Sequence, residues 1–185
     1  MKIVERMSGD FIAGLVEGEG CFAFTLRRDR HLDRKKYKEY FYYKAQFAIT
    51  LRKDDLNLLK QVQEKTGFGH IYMINNMVRY DEQNTDILYK KVIPFFRKYP
   101  LYGKKKDDFE LWSEAVKLLY KYKKKTINVQ KGVRGYVATV NQWPPNVIKR
   151  LNEIISLMKQ YKSLASRNKW LSSPKHMESV FKVVG

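Results

Sequence analysis

The chain has 185 residues, with 37 Lys or Arg against 19 Asp or Glu, so its formal net charge at pH 7 is +18. This length suffices for one hydrophobic core of ordinary size. A folded chain with so large a positive charge indicates a nucleic-acid partner more than an anionic membrane surface. The lone Cys21 excludes an internal disulfide and a cysteine-based zinc site. The sequence contains neither a membrane span nor a signal-peptide core, so we expect no membrane partner and an intracellular location, in a prokaryotic cytoplasm or an organelle matrix.

The first predicted helix runs from about Gly9 to Glu17, with Ser8 as its N-cap. Its two glycines, Gly14 and Gly18, are four residues apart and therefore lie on one face. Without side chains on that face, two such helices can approach each other closely. The spacing thus favours a pair of such helices that contact each other through their glycine faces.

The helix ends in an acid-glycine-acid-glycine run, Glu17 to Gly20. If two of these helices meet, the carboxylate of Glu19 comes close to its equivalent in the partner. Two adjacent carboxylates in a very basic protein indicate a divalent metal site that faces a polyanion.

Two alternating segments follow, at residues 21–29 and 42–51, and a basic linker separates them. Large apolar side chains recur at every second position of each segment, which predicts a hairpin with one buried and one polar face. Asp54 or Asp55 can then cap a second helix, which ends at Gly67. Residues 70–74 and 78–83 form a second predicted hairpin around the turn pair Asn75 and Asn76.

The next helix is predicted to begin at Asn84 or Thr85 and to meet Pro94, whose ring disturbs helix geometry. Asp107 or Asp108 is the expected cap of a strongly amphipathic helix after it.

The final third of the chain is less regular in pattern. Residues 126–141 are predicted to be a loop, and Pro144 and Pro145 open an apolar helix. We expect a single domain over residues 1–170 and a C-terminal tail over residues 171–185.

Residues Ile12 to Gly20, which read Ile-Ala-Gly-Leu-Val-Glu-Gly-Glu-Gly, resemble the signature of the LAGLIDADG homing endonuclease family. Ile replaces the first Leu of that signature, and Glu replaces both acids. The predicted order of elements also matches the α-β-β-α-β-β-α core of the family. The resemblance implies an α+β fold with a saddle-shaped antiparallel sheet and extra C-terminal helices. A single copy of the motif implies a homodimer, with Gly14 and Gly18 in the interface.

The resemblance also implies a function, that of an intron-encoded, Mg²⁺-dependent DNA endonuclease. Such an enzyme hydrolyses phosphodiester bonds in both strands at a long, near-palindromic site and leaves 3′ overhangs. Glu19 and the backbone carbonyl of Gly18 are then the expected metal ligands, and Glu17 is expected to have a structural role at the helix end. Lys104, with Lys105 as the second choice, is the expected basic catalytic residue.

The polar face of the predicted sheet is the expected DNA-binding surface. A strand of about ten residues spans roughly 33 Å, which is the length of about ten base pairs, and a two-stranded ribbon fits the major groove. Two subunits would therefore cover about twenty base pairs of double-stranded DNA with two-fold or near two-fold symmetry. The residues placed on this face are Thr25, Arg27, Asp29, Tyr42, Lys44, Gln46, Tyr72, Arg79 and Asp81.

One region departs from the family pattern. Many relatives have a Gln at the end of the second strand, which orders water, and an Arg four residues later. The corresponding positions here are Leu51 and Asp55, with Arg52 adjacent to the first. Either the register differs by one residue or the solvent network is different.

Three other functions remain open at this stage. The chain could be an intron RNA maturase, which uses a basic surface without needing the metal-binding acid. It could be a DNA-binding protein that does not cleave, although the presence of Glu19 argues against this. Residues 69–72 also resemble the start of a nuclease type that begins with Gly-Ile-Tyr, but its second element is absent.

Overall fold

The computed structural model describes residues 7–33, 36–122 and 143–160. They belong to two compact units, divided between Tyr120 and Lys121. The elements in chain order are α1 (Gly9–Glu19), β1 (Gly20–Asp33), β2 (Lys36–Arg52), a 3₁₀ turn (Lys53–Asp55), α2 (Leu56–Thr66), β3 (His70–Ile74), β4 (Met77–Glu82), α3 (Thr85–Ile87), a π-helical turn (Leu88–Val92), α4 (Ile93–Lys98), α5 (Lys104–Tyr122) and, in the second unit, α6 (Pro145–Gln160). The predicted α+β class and its α-β-β-α-β-β-α order are confirmed.

The four strands form one antiparallel sheet in the order β1-β2-β4-β3. Because side chains alternate between the two faces of a strand, one sheet face is apolar and buried. Its centre is Phe22, which stacks on Phe47 at 5.3 Å between ring centroids and contacts Phe96 of α4 and Trp112 of α5. These helices therefore cover the apolar face of the sheet, and the opposite face carries its polar residues.

Helix α1 begins where it was predicted to begin. The side chain of Ser8 accepts a hydrogen bond of 3.1 Å from the backbone N–H of Phe11, as an N-cap should. The helix continues two residues beyond the predicted end, to Glu19, and Gly20 is already the first residue of β1.

The predicted basic linker of the first hairpin is wrong. Strand pairing continues from the Arg28–Phe41 pair to the Asp33–Lys36 pair, so β1 and β2 extend through most of that segment. The segment contains many Tyr and Phe residues, which favour strands.

The predicted cap of the second helix is correct in its position but not in its hydrogen bonding. Asp55 occupies the N-cap position of α2, but its side chain makes no capping hydrogen bond. Asp54 instead pairs with Arg52 at 3.1 Å, and the 3₁₀ turn leads the chain into α2. The predicted end is correct: Gly67 has a left-handed conformation with φ 67°, which glycine adopts without steric cost.

The β3–β4 hairpin is confirmed, with Asn75 at φ 52° in its turn. Of the two predicted caps of the next helix, Asn84 is the correct one, since its Oδ1 accepts a hydrogen bond of 2.9 Å from the N–H of Asp86. Pro94 lies in the first turn of α4, directly after the π-helical turn. The wider turn before the proline accommodates a residue that has no N–H to donate.

The amphipathic helix α5 begins at Lys104, before both predicted caps, so neither Asp107 nor Asp108 is its cap. In the second unit, α6 begins at Pro145 as predicted, and its apolar residues, among them Leu151 and Ile154, are buried. The predicted loop at 126–141 and the tail after 170 lie outside the described residues, so the predicted domain limits stay predictions. No helix in the described part of the chain is long and apolar enough to cross a membrane.

Candidate metal centre and nucleic-acid interface

The end of α1 presents an exposed carboxylate beside free helix carbonyls. Glu19 is the last residue of the helix and is exposed. The N–H of Gly20 bonds to the carbonyl of Val16, which leaves the carbonyls of the following residues, including Gly18, without a partner inside the helix. Oxygen ligands at the negative end of a helix dipole suit a hard divalent cation.

One chain contributes only part of such a site. Among the described residues, no three His, Cys, Asp or Glu side chains lie close enough together to hold a metal ion. Glu19 and the carbonyl of Gly18 therefore fit a metal site that other groups must complete, namely water, phosphate or a second copy of the same helix end.

Glu17 has the structural role that the sequence indicated, and the contact is specific. Its Oε1 accepts hydrogen bonds from the backbone N–H of Tyr102 at 2.6 Å and of Gly103 at 2.9 Å. These residues directly precede α5, whose first turn closes with a bond from the N–H of Lys106 to the carbonyl of Gly103. A carboxylate at this place also interacts favourably with the positive end of the helix dipole. Glu17 thus acts as an N-terminal cap of α5 that is contributed by α1.

This contact brings the predicted basic residue towards the motif. Lys104 is the first residue of α5, follows Gly103 directly and is exposed, whereas Lys105 is half-buried. Since Glu17 stands only two residues before Glu19, the hydrogen bonds of Glu17 tie the segment that carries Lys104 to the end of α1. Lys104 lies in α5, and not before the helix as the predicted cap at Asp107 or Asp108 implied.

The glycine face of α1 is open towards the described residues of the chain. Among them, no heavy atom lies within 4 Å of a Cβ atom added at Gly14 or at Gly18, and both glycines are exposed. Phe11, on the same side of the helix, is 50% exposed. Nothing in the described part of one chain therefore explains why these two positions are glycines.

The strand register places all nine predicted DNA-contact residues on the outer face of the sheet, opposite the apolar core. Arg27 stands across from Tyr42, and Tyr72 across from Arg79, in adjacent strands. Burial and a hydrogen bond with Asp29 raise the pKa of Tyr42 above its ordinary value. The members of this outer face are Thr25, Arg27, Asp29, Tyr42, Lys44, Gln46, Tyr72, Arg79 and Asp81.

Asp81 differs from the other members of the outer face because it is only 4% exposed. Its Oδ2 accepts hydrogen bonds from the side-chain amides of Gln46 at 2.5 Å and Gln83 at 2.6 Å, and from the hydroxyl of Tyr72 at 3.0 Å. Gln83 was not among the predicted site residues, although the period-two alternation of the predicted strand at residues 78–83 puts it on the same face as Asp81.

Sequence reasoning also missed Glu82, a buried carboxylate at the end of β4. It accepts hydrogen bonds from three backbone N–H groups, those of Gln83 at 2.9 Å, Asn84 at 2.8 Å and Gly69 at 3.2 Å. Glu82 therefore joins the start of α3 to the segment that leads into β3.

Residues 51–55, which depart from the family pattern, contain no glutamine. Leu51 is buried in the core, and Asp55 is exposed. Arg52 is exposed and pairs with Asp54.

Comparison with known proteins agrees with this geometry. The family model described as "LAGLIDADG endonuclease" matches residues 12–116, which is more than half of the chain. Among curated proteins, the chain is similar to "Probable intron-encoded endonuclease 2" of Neurospora crassa, with 29% identity over 138 residues, and to "Probable intron-encoded endonuclease 3" of the same organism, with 36% identity over 112 residues. These matches cover 73% and 58% of this chain, but only 29% and 20% of the two relatives. The chain thus spans less than a third of the length of these relatives.

Solved structures show the same fold. The meganuclease I-AabMI, in a complex with uncleaved DNA, is 30% identical, with a TM-score of 0.54 over 62% of this chain and 38% of its own. The homing endonuclease I-TnaI is 19% identical, with a TM-score of 0.63 over 97% of this chain and 99% of its own. I-SmaMI, bound to uncleaved DNA in the presence of calcium ions, is 24% identical, with a TM-score of 0.61 over 95% of this chain and 49% of its own. The motif, the sheet and the matching family model show that this chain belongs to the LAGLIDADG endonuclease family.

Proposed function

We propose that the protein is a homodimeric, Mg²⁺-dependent homing endonuclease that cuts both strands of a long, near-palindromic DNA site and leaves 3′ overhangs. The observation that carries the proposal is the continuity of α1 with the sheet. Glu19 is exposed at the end of the motif helix, and the next residue, Gly20, begins the strand β1 whose outer face carries the polar set. A metal held at Glu19 would therefore lie at one end of a DNA-binding surface.

The charges and shapes on the outer face support DNA as the partner. Cationic Arg27, Lys44 and Arg79 can contact phosphates or guanine edges, and the other members offer donors, acceptors and flat rings. With a net charge of +18, binding should weaken steeply with salt, because each neutralised phosphate releases counterions.

Mg²⁺ bound by Glu19 and the carbonyl of Gly18 would supply Lewis-acid stabilisation of charge at the scissile phosphate. Glu19 holds one side of that site, and the ammonium group of Lys104 offers a second positive charge for the transition state. Glu17 keeps the segment before Lys104 at the end of α1.

The open glycine face of α1 supports the dimer. A second copy of α1 packed across Gly14 and Gly18 would bring two Glu19 side chains together and complete a site that one chain leaves incomplete.

The test is a selection from a library of randomised DNA duplexes long enough to hold about twenty base pairs, in Mg²⁺ and in EDTA. We expect recovery of one near-palindromic cut site in Mg²⁺ only. Glu19→Gln should reduce cleavage by at least about a thousandfold, as loss of several kcal/mol of charge stabilisation requires. The affinity of this variant for the same site should stay within a factor of a few.

Other outcomes distinguish the alternatives. Enrichment of duplexes that are bound and never cut would indicate a DNA-binding protein without nuclease activity. Full cleavage by Glu19→Gln would contradict the metal assignment. If no duplex is enriched while intron RNA is bound, the maturase function replaces the proposed one.

A further inference from the structure

Asp81 of the outer face is buried, so it cannot itself contact a ligand. It accepts hydrogen bonds from side chains that can. Asp81 is 4% exposed, yet it belongs to the outer face and not to the apolar core. Its Oδ2 accepts from Gln46, Gln83 and Tyr72, and lies 3.9 Å from Nε of Arg79. This buried carboxylate is therefore a hub for three side chains of the outer face and for Gln83, which follows β4.

The chemistry of a carboxylate determines how the two amides are turned. An ionised carboxylate only accepts hydrogen bonds, so the side-chain nitrogen of Gln46 and that of Gln83 must face Asp81. Each amide then has its Oε1 and its second N–H left for another partner. One acceptor beside one donor is the pattern that pairs with N6 and N7 of adenine in the major groove.

Tyr72 is oriented by the same group. Its hydroxyl donates to Asp81 at 3.0 Å, and burial together with this bond raises the pKa of Tyr72. Its proton is therefore used within the protein, and its ring, which is 39% exposed, is the part that remains available.

We propose that Asp81 is a positioning residue for sequence recognition: it orients the amides of Gln46 and Gln83 so that both read adenine bases in the major groove of the target. This inference rests on the proposed DNA-binding function and names one part of the sequence that the protein selects. An uncharged Asn at position 81 would have the same size, but its NH₂ group can donate to a glutamine oxygen and so allow either amide to turn over.

The experiment measures base preference in binding, with randomised duplexes in EDTA so that cleavage plays no part. Gln46→Ala and Gln83→Ala first identify the base pairs that each amide contacts, as the positions at which preference disappears. At those positions the unaltered protein should prefer adenine, and Asp81→Asn should lower the preference about tenfold while leaving the other positions unchanged. Replacing adenine by 7-deazaadenine there should weaken binding of the unaltered protein, with a smaller effect on Asp81→Asn.

The matched control is Asp54→Asn, which alters an exposed aspartate that pairs with Arg52 at 3.1 Å, away from the hub. Its base preferences should equal those of the unaltered protein. Thermal unfolding of each variant shows whether it is folded, and the two glutamine variants provide the adenine test even if Asp81→Asn does not fold.

Four results would overturn the inference. The positions identified by Gln46→Ala and Gln83→Ala could prefer a base other than adenine. Folded Asp81→Asn could keep the full preference, or lose affinity equally at every position, as a purely structural role requires. If the unaltered protein selects no duplex at all, the proposed function fails and this inference fails with it.

Discussion

Glu17 of α1 and Gly103 before α5 are 86 residues apart in the chain, yet the carboxylate of Glu17 accepts the backbone N–H of Gly103 at 2.9 Å. The same oxygen accepts the N–H of Tyr102, so one side chain of the motif determines where the segment before α5 lies. This relationship connects the first acid of the motif to Lys104 without making that acid a metal ligand.

The capping contact predicts what a change at Glu17 does. Glu17→Ala removes the acceptor of two backbone N–H groups and should lower the free energy of unfolding by about 1–3 kcal/mol. It should also reduce cleavage more than DNA affinity, because Lys104 loses its fixed position. Urea denaturation and single-turnover cleavage measure the two effects.

Two variants serve as controls for that prediction. Glu64→Ala, at an exposed position of α2, should change neither quantity appreciably. Lys104→Met should reduce cleavage without lowering stability. Equal stability of Glu17→Ala and the unaltered protein would contradict the capping role.

The open space over Gly14 predicts opposite effects on the monomer and on the dimer. A Cβ at position 14 meets no heavy atom within 4 Å among the described residues, and Leu is a better helix former than Gly, so Gly14→Leu should leave the stability of the monomer unchanged or raise it by up to about 1 kcal/mol. The same side chain should block a close helix pair, so light scattering should report a monomer. Leu at exposed Lys60 of α2 is the control for added apolar surface. A Gly14→Leu dimer would refute the proposed interface.

Glu82 should be among the residues most sensitive to truncation. Glu82→Ala leaves three backbone N–H groups near the β4–α3 junction without their acceptor and should cost at least about 3 kcal/mol. Glu82→Gln keeps an acceptor oxygen and should cost less. Chemical denaturation of both variants measures this order, and equal losses would show that hydrogen bonding at this site is not what stabilises the fold.

The Arg97–Glu110 pair between α4 and α5 predicts a dependence of stability on pH. The hydrogen bonds from Arg97, one of them 2.6 Å long, lower the pKa of Glu110 below its ordinary 4.5, against a smaller opposing effect of burial. Because the folded-state pKa is depressed, this contribution is present above about pH 4.5 and is lost as the pH falls through the folded-state value.

Stability curves of Glu110→Gln should therefore converge with those of the unaltered protein in acid. Both side chains are almost half exposed, so the difference at pH 7 should be under about 1 kcal/mol. Glu64→Gln is the control. A difference that grows as the pH falls would contradict the sign of this prediction.

The sequence pattern predicted the elements whose cause is local. Ser8 caps α1 through a bond to a residue three positions away, and Gly67 ends α2 by its own backbone freedom. The period-two alternation placed the outer face correctly, because strand side chains alternate regardless of what pairs with them. The aspartates before α2 and in α5 were predicted to cap these helices, but their side chains do not. A 3₁₀ turn precedes α2, and Glu17 of α1 accepts the N–H groups before α5.

The sequence by itself determined the motif, the order of elements and the polar identity of the outer face, since these depend on residue type and on spacing along the chain. Only the tertiary structure decided that Glu17 caps α5, that Lys104 belongs to a helix, and that Asp81 is a buried hub and not an exposed reader of bases. Each of these depends on a hydrogen bond between segments distant in the chain or on which neighbours cover a side chain. Local propensity does not predict such contacts. The sequence around a carboxylate does not show whether its partner is water or a backbone N–H more than 80 residues away.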